Sequence, residues 1–185
     1  MDKEMKNNLL RISRIGFAVV LAALCAMAQE HRWAGRTLTD FEWAIHERLA
    51  SLPFHGVFDD VRFEAQDGSV ILTGHVVRER EKESAERSLR KITGVRNVVN
   101  RIEVLPSSRT DDALRTNVYR AIYQDQLLSK YGTRGAAPIQ IVVKNGWVAL
   151  EGVVDSEEDR GIAHLRALKV TAHVSDNLRV VPQGS

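Results

Sequence analysis

The stretch NGWVALEGVV, residues 145–154, repeats what the chain has already written at residues 67–76, DGSVILTGHV. Each begins with a turn-type pair, Asn145-Gly146 or Asp67-Gly68, and continues with alternating apolar residues. Each then places a second glycine, Gly152 or Gly74, six positions after the first. Asn-Gly and Asp-Gly between alternating runs predict a β-hairpin, because a type I′ turn requires positive φ at both central residues. Writing one hairpin twice, 78 residues apart, predicts a duplicated domain.

The surroundings of the two hairpins repeat as well. Before the first, Thr39-x-x-Glu42 is a capping box, and Phe41, Ile45, Leu49 and Leu52 follow at helical spacing until Pro53. Val61, Phe63 and Ala65 alternate into the Asp67-Gly68 turn, and Val70 and Leu72 alternate out of it. Residues 78–93 are charged, with Ala85, Leu89 and Ile92 on one side, which predicts a second helix stopped by Gly94. Val98–Val104 is a third strand. The second copy offers TDDALRTNVYRAIYQDQLL as its helix, IQIVVK and WVALEG as its hairpin, residues 156–169 as its second helix and HVSDNLRVV as its last strand. The fold expected is α+β: two tandem small αββαβ domains, each a three-stranded mixed sheet covered by two helices. The boundaries expected are 39–105 and 111–182, with a short Pro- and Ser-containing linker at 106–110 and a lead-in at 29–38. A linker this short predicts that the domains touch. The turn and bend glycines, Gly68, Gly74, Gly94, Gly146 and Gly152, read as fold-forming.

These residues carry a resemblance. A capped helix, then x-x-[DN]-G-x-V-x-L-x-G-x-V, a charged helix with alanine, then G-V-x-x-V-x-N and a closing apolar strand, resembles the BON domain. The first copy carries it as DGSVILTGHV and GVRNVVNRIEV, the second as NGWVALEGVV and HVSDNLRV. The second copy departs at LKVTAHV, which lacks the Gly-Val of residues 94–95. The resemblance implies a periplasmic or envelope-associated protein without catalytic activity. It implies binding of phospholipid or envelope components and support of the envelope under osmotic stress. A soluble module for protein–protein interaction, without lipid binding, is the alternative.

The first residues read as an export signal. Lys3, Lys6, Arg11 and Arg14 precede the uncharged run IGFAVVLAALCAMA, residues 15–28, which ends on Ala26-Met27-Ala28. Fourteen helical residues rise about 21 Å, short of a hydrocarbon core of roughly 30 Å. Cleavage after Ala28 is therefore expected, with an inner-membrane anchor as the alternative. A lipid-attachment site at Cys25 would want a small residue before it, and Leu24 stands there. Removing residues 1–28 leaves 22 basic and 22 acidic residues and no cysteine. That balance gives no electrostatic footprint for nucleic acid. It also suits an oxidising compartment without disulfides.

No catalytic constellation is present, and no cofactor is expected. There is no Gly-x-Ser-x-Gly, and no Gly-x-Gly-x-x-Gly after a strand. GTRGAAP, residues 132–138, lacks a phosphate-loop lysine and reads as a loop insertion. None of the six histidines forms a helical i, i+3 or i, i+4 pair. The run REREKESAERSLRK, residues 78–91, reads as a solvated helix face with Glu83–Arg87 and Glu86–Arg90 pairs.

The aromatic residues point to a contact surface. In the helix from residue 110, Leu114, Val118, Ala121 and Ile122 make one stripe, and Tyr119, Tyr123 and Leu127 lie opposite, bordered by Arg120. The counterpart face of the first copy carries Trp43, His46, Glu47 and Ala50. Trp147 alternates with Val148 and Leu150 and so faces away from the side they cover. Tyr119, Arg120, Tyr123, Leu127 and Trp147 are the candidate residues for a phospholipid surface or an envelope partner. Packing between the two domains is the other reading of the same stripe. The pattern leaves the oligomeric state open.

Overall fold

A Thr39 side chain accepting from the Glu42 amide, and a Glu42 carboxylate accepting from the Thr39 amide, start helix α1, Asp40–Ala50. Two short strands, β1 (His31–Trp33) and β2 (Arg36–Leu38), precede it, and Leu38 is buried. The lead-in at 29–38 thus carries strands. The computed structural model describes residues 31–33, 36–52, 56–132 and 138–181. The export segment at 1–28, Pro53 and most of the GTRGAAP loop lie outside the described residues.

The first hairpin pairs β3 (Asp60–Gln66) with β4 (Ser69–Val76) in antiparallel register, Gln66 opposite Ser69. Asp67 and Gly68 have φ of 49° and 75°, which is the type I′ geometry the Asp-Gly pair requires. Helix α2 (Glu79–Leu89) returns the chain to β5 (Asn97–Asn100) and β6 (Glu103–Val104), both parallel to β4. Val70, Leu72 and Val76 of the central strand meet Ile45, Leu49, Ala85 and Leu89 of the two helices in one core.

The second domain repeats this order. It runs through α3 (Arg109–Tyr123), a short α4 (Ser129–Gly132), β7 (Ile139–Lys144), β8 (Trp147–Val154), α5 (Glu157–Leu168), β9 (Val174–Asp176) and β10 (Arg179–Val180). Asn145 and Gly146 again have positive φ, 52° and 80°. The architecture is the α+β tandem of αββαβ domains that the pattern predicts, each sheet mixed and each with its own core.

Three local expectations are corrected. The last strand of each domain is broken in two. The Asn100 side chain accepts from the Ile102 amide, and that of Asp176 accepts from the Leu178 amide. These short loops compete with the ladder and turn Ile102 and Leu178 into the cores. Helix α2 ends at Leu89 and not at Gly94. Lys91 and Ile92 tighten to i→i+3 bonds, and Gly94, at φ 94°, sits in the following turn. Helix α3 ends at Tyr123 and not near residue 128. The Asp125 carboxylate accepts from the Leu127 amide, and the chain re-enters the core through Leu128 and Tyr131. The expected pairs on α2 form, Arg87–Glu83 at 3.6 Å and Arg90–Glu86 at 2.7 Å.

Candidate functional site

Helix α3 buries the apolar stripe its sequence outlines, but two charged residues extend the buried face. The buried line is Asp111, Arg115, Val118 and Ile122, with Leu114 half-buried beside it. Two of these are charged, and each has work to do. The Asp111 carboxylate accepts from the amides of Asn145 and Gly146, at 2.8 and 2.9 Å, and so clamps the hairpin turn. Arg115 donates through Nη2 to the Val143 carbonyl at 2.6 Å and through Nη1 to Asp112.

Including them rotates the core face towards Tyr119 and Tyr123. Tyr123 is 9% exposed, packs in the second core and donates its hydroxyl to the Ile139 carbonyl at 2.6 Å. Burial raises its phenol above the usual range. Its assignment to an outer contact surface is thereby corrected: it is a core residue. Tyr119, 38% exposed, stacks on Tyr123 with ring centroids 5.1 Å apart and meets Phe58 edge-on at 6.1 Å. Phe58 and Val57 come from the first domain and pack against the second core. The aromatic stripe thus serves the domain junction, the other reading its position allowed.

That junction has a polar side as well. The Ile141 amide donates to the Val57 carbonyl at 2.7 Å, and Lys144 pairs with Glu103 at 2.5 Å. The loop carrying Val57 and Phe58 is held by Asp59, whose carboxylate accepts from the amides of Val77 (2.9 Å) and Gly56 (3.3 Å). Burial raises the Asp59 carboxyl above its ordinary 3.8, hydrogen bonds notwithstanding. Burial and the neighbouring Asp59 charge raise Glu81 above its ordinary 4.5. Both groups bind protons more tightly folded than unfolded. Their contribution is therefore fully present below the unfolded values and is lost as pH rises through the folded ones. Glu81→Gln is expected to flatten the fall in first-domain stability from pH 4.5 towards neutrality, read from denaturant midpoints across that range. An unchanged slope would remove the pair from the account.

The second domain differs from the first in what it leaves in water. Among the described residues, the exposed large apolar side chains are Tyr119, Leu127, Trp147, Leu165 and Leu168, all in the second domain. Leu165 and Leu168 stand three residues apart on the outer face of α5, whose inner face is Asp159, Ala163 and Ala167. Leu127 sits in the segment tied along α5. Arg166 bonds Asp125 at 2.5 Å, and Lys130 and the Tyr131 hydroxyl each reach Asp159 at 2.8 Å. Burial raises the Tyr131 phenol to about 12. Burial acts to raise Asp159 too, but hydrogen bonds from Lys130, Tyr131 and Ser156 outweigh it and hold the carboxyl below 3.8. Trp147 lies stacked on His173, centroids 4.6 Å apart, just past the end of α5. Arg120 is exposed on α3.

Leu165 and Leu168 escaped the sequence reading. The signal was available: within residues 157–168, Leu165 falls opposite Ala163 and Ala167 on the helix, and Leu168 falls to one side of them. No group of three or more His, Cys, Asp or Glu able to hold a metal ion occurs among the described residues. No helix among them is long and apolar enough to cross a membrane.

The profile of the BON domain matches residues 45–106 and 110–182. The chain belongs to the BON domain family, and carries the domain twice. Membership points to an envelope-associated binding module. No curated protein matches. Two solved structures share 16% identity with it. One comes from structural studies of CdsD, a structural protein of the type III secretion system of Chlamydia trachomatis, at TM-score 0.32 over 77% of this chain. The other is the C-terminal domain of CdsD from the same organism, at TM-score 0.31 over 78%. The match spans 61% and 65% of those chains.

Proposed function

We propose that this is a non-catalytic periplasmic protein, exported through a cleavable segment at residues 1–28, that binds phospholipid surfaces and supports the envelope under osmotic stress. The contact face is the outer side of the second domain: Leu165 and Leu168 on α5, Leu127 beside it, and Trp147. The observation that carries this reading is the asymmetry between the repeats. Two copies of one fold each bury a core, yet among the described residues the large apolar side chains that stand in water are all on the second copy. Apolar area costs roughly 25 cal/mol per Å² when left in water, so covering it is favourable. Leucine and tryptophan bordered by lysine, here the exposed Lys169, suit a headgroup boundary. There the apolar bodies enter and the cation stays at phosphate depth. Arg120 and the exposed edge of Tyr119 flank the same domain.

Flotation with anionic and zwitterionic vesicles tests the reading. The unmodified protein is expected to float with vesicles. Leu165→Ser/Leu168→Ser is expected to lower the bound fraction about tenfold, the loss of two apolar anchors. Its melting temperature should stay close to that of the parent, since neither side chain is in the core. Equal flotation of the two proteins, or none of either, would leave a protein partner as the occupant of this face.

A further inference from the structure

A separate cleft of about 360 Å³ opens where the two domains meet the linker. Its apolar wall is Phe58, Val77 and Pro106. Its charged wall is Arg78 from the first domain and Arg115 from α3, with Asp112 beside them. We propose that this cleft is a binding site for a small singly charged phosphodiester, the phosphoryl oxygens against the two guanidinium groups and an ester arm against the apolar wall. The proposal does not depend on the vesicle-facing surface of α5.

Arg115 is the central observation. It is 3% exposed, and a buried guanidinium is costly unless its donors are used. Nη2 is committed to Val143 and Nη1 to Asp112, but Nε has no acceptor in the protein. Asp112 is a poor counter-ion for a buried cation, since its own side chain is 59% exposed. The fold does not require this charge. Laying Ile45 and Leu49 of α1 over Val118 and Ile122 of α3 puts Glu42 at the place of Arg115, where it serves the helix cap.

Arg78 supplies the second cation. Its side chain is 60% exposed, and its contact with Glu81 is long, at 3.4 Å. Planar guanidinium groups match phosphate geometry better than ammonium does. Two cations and one carboxylate on the wall leave one positive charge, which favours a diester over a doubly charged monoester. Ser107 and Thr116 also line the cleft, with the Thr116 hydroxyl donating to the Asp112 carbonyl. The volume lies at the low end for small-molecule pockets, so the ligand is small.

Diethyl phosphate is the probe, titrated into the purified protein and followed by amide and arginine side-chain NMR shifts. Saturable shifts are expected at Val77, Ser107, Thr116 and the Arg115 side chain, in the millimolar range. Arg78→Gln is expected to weaken binding about tenfold, the loss of one charge-assisted contact, with melting unchanged because the side chain is exposed. Asp112→Asn is expected to tighten binding, because it removes the one negative charge on the wall. Anionic vesicles form the second arm. If Arg78→Gln also weakens vesicle binding, the diester is a lipid headgroup; if vesicle binding is unchanged while the soluble probe is lost, it is a free ester. The proposal is overturned if diethyl phosphate gives no saturable shift at the cleft, or if Arg78→Gln binds it as the parent does.

Discussion

Gly152→Ala is expected to unfold the second domain at ordinary temperatures, and Gly74→Ala the first. Both glycines have φ near 110°, a region closed to side chains other than hydrogen. A Cβ at Gly152 would fall inside the van der Waals envelope of the Pro138 carbonyl oxygen. One at Gly74 would do the same to the carbonyl of Asp60. The obstacle in each case is backbone at the start of the paired strand or just before it, which cannot swing aside as a flexible side chain could. Strain and overlap together cost about 3–5 kcal/mol. A domain of this size holds only about 5 kcal/mol in all. Gly146→Ala is the control: it also has positive φ, but nothing lies within 4 Å of its Cβ position, so the cost is about 1 kcal/mol. Thermal melts of the three variants would show the order. A Gly152→Ala melt no worse than that of Gly146→Ala would contradict the close approach of the strands.

Asp111→Ala is expected to cost about 3 kcal/mol, with the loss confined to the second domain. The carboxylate is 2% exposed and satisfies two backbone donors of the Asn145-Gly146 turn. Removing it leaves two amides without partners in a partly buried place, and hydrogen bonds to a charged acceptor are worth more than neutral ones. Asp111→Asn should fall between parent and alanine, because a carboxamide has one oxygen to offer and turns a donor towards the second amide. Urea unfolding of the three proteins measures this. An asparagine variant as stable as the parent would mean that one of the two bonds carries no weight.

The two repeats differ in how their domains are used. In the first, loop residues Val57 and Phe58 leave their own core to pack on the second. In the second, an extra turn at the start of α3 brings Asp111 and Asp112 to the turn and the cleft, Arg115 stands where α1 has Glu42, and α5 leaves Leu165 and Leu168 in water. Function, on this reading, sits in what the second copy adds to a shared frame.

Much of that frame was legible from local chemistry. Asn145-Gly146 and Asp67-Gly68 announce their turns because few residues tolerate positive φ, and Thr39-x-x-Glu42 announces a helix start because its partners are three residues apart. The same local rules found the duplication, and through it the αββαβ order and the glycines that shape it. Of the five residues read as a contact surface, Leu127, Trp147 and Arg120 stand in water, while Tyr123 is core and Tyr119 meets Phe58. That error has one physical source. The apolar stripe marks only part of the buried face of α3, because Asp111 and Arg115 are buried too. Their burial is tolerable only because partners 28 to 35 residues away, at Val143, Asn145 and Gly146, satisfy them. Such partners have no periodicity to read. Period and turn chemistry are properties of neighbours in the chain, and they determined the fold. Which charges could be buried, which carbonyl approached which glycine, and which side of α3 met the first domain were decided only when distant backbone groups came together.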